Sequence, residues 1–114
     1  MSKKIISIDQ GTTSSRAVLF DDRGGLIDFI QKEHKQYFPK NGWVEHDPEE
    51  IWRSVAEVTG KLISRHSLNS NDIGAIGIAN QRETSLLWEK KSGKVIYPAI
   101  VWQDRRTAEF CNKL

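Results

Sequence analysis

Three short, β-rich apolar runs joined by two tight polar turns fill the first 34 residues, and this pattern restricts the fold more than any other feature. Lys3 to Asp9 carries Ile5, Ile6 and Ile8, Arg16 to Phe20 is apolar and partly β-branched, and Leu26 to Glu33 alternates loosely. Gly11-Thr12-Thr13-Ser14 and Asp21-Asp22-Arg23-Gly24-Gly25 separate them. Turns this short leave no room for a crossover helix, so the expectation is an antiparallel three-strand meander rather than a βαβ start.

Residues 35–46 read as irregular, with Pro39, Asn41-Gly42 and a Trp43 expected to pack down onto the sheet. Asp47-Pro48-Glu49-Glu50 then signals a helix: Asp47 caps free amides, Pro48 suits the first helical position, and Glu50 can complete a capping box. Ile51, Trp52, Val55, Val58, Leu62 and Ile63 recur at three- and four-residue steps, predicting one buried face as far as about His66. Ile73 to Ala79 reads as a buried strand in which Gly74 and Gly77 permit close approach of neighbours. Further strands are expected over Thr84–Trp88 and, interrupted by Pro98, over Val95–Trp102, and Asp104 is expected to cap a last helix. The order β-β-β-α-β, then more strand and a helix, predicts an α/β fold with a mixed sheet. The last helix meets neither a capping glycine nor a polar tail before Leu114, so a truncated chain is expected.

Composition removes several function classes. Charged residues are 28% and apolar ones 38% of the 114, and the formal charge of +2 is too small, and its Lys and Arg too scattered, to argue for a nucleic-acid partner. No apolar run approaches the roughly 18 residues of a membrane span, and the polar start resembles no signal peptide. The lone Cys111 cannot form an internal disulfide, consistent with a reducing cytoplasm, and it has no His nearby in sequence to activate it.

Two stretches carry chemistry. Asp9-Gln10-Gly11-Thr12-Thr13-Ser14-Ser15-Arg16 has neither the Gly-Lys-Ser/Thr ending of a P-loop nor the three spaced glycines of a dinucleotide turn. It offers a glycine at a strand-to-strand bend followed by four hydroxyl side chains. Successive amides in such a bend can cradle an anion, with the hydroxyls adding donors. Asp9 can hold Mg²⁺ directly or through water, and Arg16 can neutralise phosphate charge, although Thr-Ser turns after Asp are also common in plain hairpins. In Asn80-Gln81-Arg82-Glu83-Thr84, an adjacent Arg-Glu pair at a strand end supplies donors and a charged acceptor suited to vicinal hydroxyls. Trp102 can lie against the hydrocarbon face of a small polyol. On residue chemistry alone, a surface ion pair and a core-filling tryptophan are the preferred account of these residues.

Asp9-x-Gly11-Thr12-Thr13-x-x-Arg16 between two strands resembles the first phosphate motif of the actin-like, ribonuclease-H-like ATPase superfamily. The longer string through Ala17 resembles the glycerol kinases of the FGGY carbohydrate kinase family. So do Gly42-Trp43-Val44-Glu45-His46-Asp47-Pro48, Asn80-Gln81-Arg82-Glu83-Thr84 and Ile100-Val101-Trp102-Gln103-x-Arg105-Arg106-Thr107-Ala108, in the right order over nearly the whole chain. The resemblance implies a ribonuclease-H-like domain of which residues 1–114 are the amino-terminal part, the second domain being absent. It implies ATP- and Mg²⁺-dependent phosphorylation of glycerol by a longer parent. Thr12, Thr13, Ser14 and Arg16 are then nucleotide contacts, Asp9 lies near the metal, and Arg82, Glu83 and Trp102 contact glycerol. Within the Trp102-x-Asp104-x-Arg106 pattern Asp104 is expected only to start a helix, while Trp43 and His46 are assigned to packing. The aspartate that accepts the hydroxyl proton in the family has no counterpart in this chain, so no catalytic residue is assigned and turnover by the chain alone is not expected. An uncovered sheet edge or apolar face is expected to drive self-association. The alternatives are a non-catalytic binding or regulatory module, an inactive remnant, and a kinase of another small polyol or sugar.

Overall fold

The computed structural model describes residues 2–114, which divide into two compact units. The first runs to His34 and resumes over Ile51–Gln81; the second comprises Lys35–Glu50 and Arg82–Leu114.

The first unit is built on the expected meander. Strands β1 (Lys4–Gln10), β2 (Ser14–Phe20) and β3 (Leu26–Glu33) pair antiparallel, with Ile8 opposite Ala17 and Ala17 opposite Ile30. Strand β5 (Ile73–Ala79) adds to the other side of β1 in parallel, Ile6 beside Ile76 and Ile8 beside Ile78, giving the order β3-β2-β1-β5. Alternation along the strands places Ile6, Ile8, Ala17 and Leu19 on one face. They form a buried cluster with Val58 and Leu62 of helix α1 (Pro48–Arg65). Ser15 and Ser54 meet inside this layer, their hydroxyl oxygens 2.7 Å apart, and the Ser54 hydroxyl donates to the Ile51 carbonyl at 2.7 Å, so both buried polar groups are satisfied.

Helix α1 begins where its sequence signals place it, but Trp52, expected on the buried face, is 66% exposed because it lies to one side of the stripe of Ser54, Val58 and Leu62 that the helix buries. Asp47 accepts the Glu49 amide at 3.0 Å, and Pro48 occupies the first position. The helix stops where Ser67 turns to a left-handed φ of 49° and the Leu68 amide bonds the Ile63 carbonyl at 3.0 Å, a 6→1 closure that satisfies an end carbonyl. The Glu50 carboxylate accepts the Lys35 amide at 2.7 Å and the Tyr37 hydroxyl at 3.1 Å.

Asp28 on β3 ties the far end of α1. It accepts from the His66 ring at 2.8 Å and from Arg65 at 3.0 Å, and these bonds, the His66 one foremost, lower its pKa from 3.8 to about 2. Since the folded value lies below the unfolded one, this carboxylate adds stability above about pH 4 that disappears as pH falls from there through about 2. Acid unfolding followed by circular dichroism should therefore steepen between pH 4 and 2, and Asp28→Asn should flatten that limb. An unchanged limb would show that the tie adds no stability.

Several expectations fail, each for a physical reason. Strand β5 is not buried: it is a sheet edge, and from Gly74 onward every residue is exposed, Ile76 at 52% and Ile78 at 74%. A Cβ on Gly74 would sit 3.0 Å from the Lys3 Cβ, but one on Gly77 would meet nothing within 4 Å, so close approach holds only at Gly74. Thr84–Trp88 forms no strand. Only the single bridges Ser85↔Ile100 and Trp88↔Val95 tie it to the Val95–Trp102 run, which contracts to a two-residue strand, β6 (Ala99–Ile100). Pro98, lacking an amide, sits immediately before β6.

In the second unit β6 pairs with β4 (Glu45–His46); Val44, Ala99 and Val101 are buried there, as is His46, which is fully buried and meets the Gln36 side chain at 3.2 Å. Trp43 was expected on a sheet. Instead the Arg106 guanidinium lies 3.7 Å, and the Lys40 ammonium 4.7 Å, from its ring centroid. The last helix, α2 (Ala108–Asn112), has Thr107 rather than Asp104 at its N-cap position, and the Thr107 side chain makes no capping bond.

Candidate functional site

The bend between β1 and β2 is closed by the Gly11 amide donating to the Ser14 carbonyl at 2.9 Å. That amide is thus spent on the turn and is not open to an anion. Gln10 donates to the Gly11 carbonyl at 2.7 Å, the His34 ring nitrogen lies 3.1 Å from the same oxygen, and the His34 amide donates to the Thr13 carbonyl at 3.1 Å. Gln31 donates to the Ser14 hydroxyl at 2.7 Å, and Gln81 reaches Gln10 at 3.3 Å. Polar side chains from β1, β3 and the residues after β5 therefore fix the bend. Thr13 is exposed, and Thr12 and Ser14 are half-buried. The sequence reading found the hydroxyls but missed Gln10, Gln31, His34 and Gln81, whose shared role appears only once the strands are paired.

Asp9 and Arg16 are cross-strand partners with a 3.4 Å contact, both side chains about half exposed. A pair this long and wet contributes little to stability, which leaves both groups available to another charge. Among the described residues no group of three or more His, Cys, Asp or Glu could hold a metal ion. Asp9 nevertheless suits Mg²⁺, which typically takes one or two carboxylates and completes its shell with water and substrate phosphates.

In the second unit Arg82 and Glu83 occupy a turn rather than a strand end. Both are exposed, and among the described residues no ion pair joins them, which removes the surface-pair explanation. Glu83 takes a φ of 56°, a left-handed conformation costly for a residue with a Cβ. Unlike Ser67, it closes no helix. Trp102 is 53% exposed, so it does not fill the core. The antiparallel bridge Ser85↔Ile100 sets Glu83 and Trp102 two residues from the same end of the pairing.

Asp104 does not start a helix. Its carboxylate accepts the Val44 amide at 2.7 Å, the Arg106 amide at 2.8 Å and the Arg106 guanidinium at 2.8–3.0 Å. Arg106 also donates to Glu45 at 2.8 Å and to the Tyr97 hydroxyl at 3.2 Å. Burial alone would raise the Asp104 pKa, but the bonds from Arg106 and Val44 outweigh it and hold the carboxyl below its usual range. Arg106 is raised in turn, chiefly by its bonds to Asp104. An Asp and Arg two apart after an apolar run was visible in sequence; that Glu45 and Tyr97 converge on them was not.

A family model, the FGGY family of carbohydrate kinases, N-terminal domain, matches residues 4–114. The glycerol kinase of Rhizobium meliloti (strain 1021) is 56% identical over 114 residues, 100% of this chain and 23% of that protein. The glycerol kinase of Burkholderia pseudomallei (strain K96243) is 56% identical over 110 residues, 96% of this chain and 22% of that protein. The chain thus spans under a quarter of the length of these relatives. Among solved structures, Plasmodium falciparum glycerol kinase with ADP superposes with a TM-score of 0.89 at 33% identity, covering 98% of this chain and 22% of that one. Gluconate kinase from Lactobacillus acidophilus gives 0.89 at 25% identity, covering 99% and 22%. The meander, the parallel strand added to β1 and the helix across them are the opening of a ribonuclease-H-like, actin-like ATPase domain. From its first strand to its last residue, then, the chain belongs to the FGGY family of carbohydrate kinases and carries that family's N-terminal domain sequence.

Proposed function

We propose that this chain supplies part of the phosphate and glycerol sites of an ATP-dependent glycerol kinase, whose parent enzyme converts glycerol to glycerol 3-phosphate. One observation carries the substrate choice: 56% identity to a glycerol kinase over every residue of the chain. Gluconate and xylulose kinases share the fold at 25% identity.

In this reading Thr12, Thr13 and Ser14 hold nucleotide phosphates on a bend that glutamines and His34 keep from relaxing. Arg16 releases Asp9 and turns toward phosphate charge. Asp9 would hold Mg²⁺, which when bound neutralises charge developing on the transferred phosphoryl group. Arg82 donates to, and Glu83 accepts from, neighbouring hydroxyls of glycerol, while the exposed face of Trp102 covers its carbon chain. A polyol lacking one hydroxyl would leave a charged group unpaired, which is the source of discrimination. Neither Asp9 nor Glu83 serves as proton acceptor, since each is committed to binding, so the 114 residues are expected to bind without turnover.

The test is a ¹H–¹⁵N NMR titration of the chain. Glycerol should shift Arg82, Glu83 and the Trp102 indole, and Mg²⁺ with ADP should shift Thr12 to Ser14; gluconate and xylulose should move the first group less. The glycerol reading fails if none of the three glycerol residues responds to saturating glycerol, or if xylulose or gluconate shifts them more.

We also infer self-association through β5. The strand is a sheet edge without charge or proline, and Ile76 and Ile78 extend the apolar face of Ile6 and Ile8 into solvent. A second copy offers the same uncharged edge. Light scattering should show mass rising with concentration, and Ile78→Lys should suppress it; a monodisperse monomer throughout would reject the inference.

A further inference from the structure

We propose that Arg106 is a positioning residue that holds Trp102 in place by acting through Asp104; its functional meaning rests on the reading of Trp102 as a glycerol contact. Trp102 is the second residue of a turn closed by the Asp104 amide donating to the Val101 carbonyl at 2.8 Å. Both ends of the turn are tied to one residue. The Val101 amide donates to the Val44 carbonyl at 3.0 Å, and the Val44 amide donates to Asp104 Oδ2 at 2.7 Å. The first tie is backbone to backbone and fixes itself. The second ends on a side chain, is strongest while that carboxylate is ionised, and holds only while it is kept in one rotamer.

Arg106 does both. Its Nε lies 3.0 Å from each carboxylate oxygen, its Nη2 is 2.8 Å from Oδ2, and its backbone amide is 2.8 Å from Oδ1. The guanidinium is aimed in turn by Glu45 at 2.8 Å, by Tyr97 at 3.2 Å and by the Trp43 ring at 3.7 Å. The Asp104, Glu45 and Arg106 side chains are 3%, 9% and 13% exposed, so water offers little substitute for any of these bonds. Trp102 is half in solvent, and the turn that presents it sets the backbone position from which its indole extends. The path of effect runs from the guanidinium to the carboxylate, the Val44 amide, the turn and the indole. A lysine keeps the charge but has no planar fork to grip both oxygens and Glu45 together.

The test compares Arg106→Lys and Asp104→Asn with the parent chain by NMR, without glycerol. In both variants the Trp102 indole should gain fast motion in its heteronuclear NOE, and the Val44 amide should exchange on the order of tenfold faster, as expected for losing a hydrogen bond to a charged group. Ile6 and Leu19 amides in the sheet should keep their protection. Asp104→Asn leaves Arg106 paired with Glu45, so it decides the matter if Arg106→Lys fails to fold. A Trp102 indole as ordered as in the parent, with Val44 equally protected, overturns the proposal. A glycerol arm separates the two readings: if glycerol never moves the parent's Trp102 resonance, the substrate reading fails while the indole's order still reports on Arg106.

Discussion

Leu62→Ala should lower the unfolding free energy by about 3 kcal/mol, within the range seen when a fully buried leucine is cut to alanine. Leu62 is completely inaccessible and belongs to the cluster of Ile6, Ile8, Ala17, Leu19 and Val58 that joins α1 to the sheet. The cost has two parts: the lost transfer of the isobutyl group from water, and the cavity left because strands β1 and β2 are held in register by their own ladder and cannot close on the gap. Domains are stable by only about 5–15 kcal/mol, so this single change removes a large share. Urea unfolding should show the midpoint falling at constant slope. A loss below about 1 kcal/mol would mean that α1 is not docked on this face, because exposed leucines truncate at little cost.

The helix and the meander were legible because their signals are local. Asp47-Pro48 and the spacing of Val55, Val58 and Leu62 need no partner to declare a helix, and two turns as short as Gly11–Ser14 and Asp21–Gly25 leave antiparallel pairing as the outcome. Burial of β5 was misread because its apolar run describes side chains, whereas exposure depends on whether something covers the edge. Residues 84–102 look β-prone, but regular strands need continuous partners, and only isolated bridges and β6 form. The hydroxyl bend was found where it stands because it is one contiguous string. The cluster of Glu45, Tyr97, Asp104 and Arg106 was not, since three separated segments build it. An aspartate a few residues before Ala108-Glu109-Phe110 also imitates a helix cap, and nothing local reveals that its carboxylate is claimed by Val44 and Arg106.

Glu83→Gly is expected to raise stability and abolish the glycerol response together, and that opposition is what separates a functional residue from a structural one. A left-handed φ such as the 56° of Glu83 costs a residue with a Cβ roughly 1–2 kcal/mol. Glycine removes that cost but gives back about 0.5–1 kcal/mol of backbone entropy. The net gain should lie between about 0 and 1.5 kcal/mol, read as a higher urea midpoint. The same change deletes the charged acceptor. Losing a hydrogen bond to a charged group costs about 1.5–3 kcal/mol, a weakening of roughly ten- to a hundredfold, so glycerol that shifts the parent's Trp102 resonance should no longer do so. Arg82→Ala is the comparator, since Arg82 has no left-handed φ to relieve and should lose the response without gaining stability. Were Glu83→Gly stabilised with its glycerol response intact, the strained turn would be a feature of folding alone and Glu83 would leave the list of glycerol contacts. Were it destabilised, the carboxylate would be holding the turn together, and the strain would have no connection with substrate.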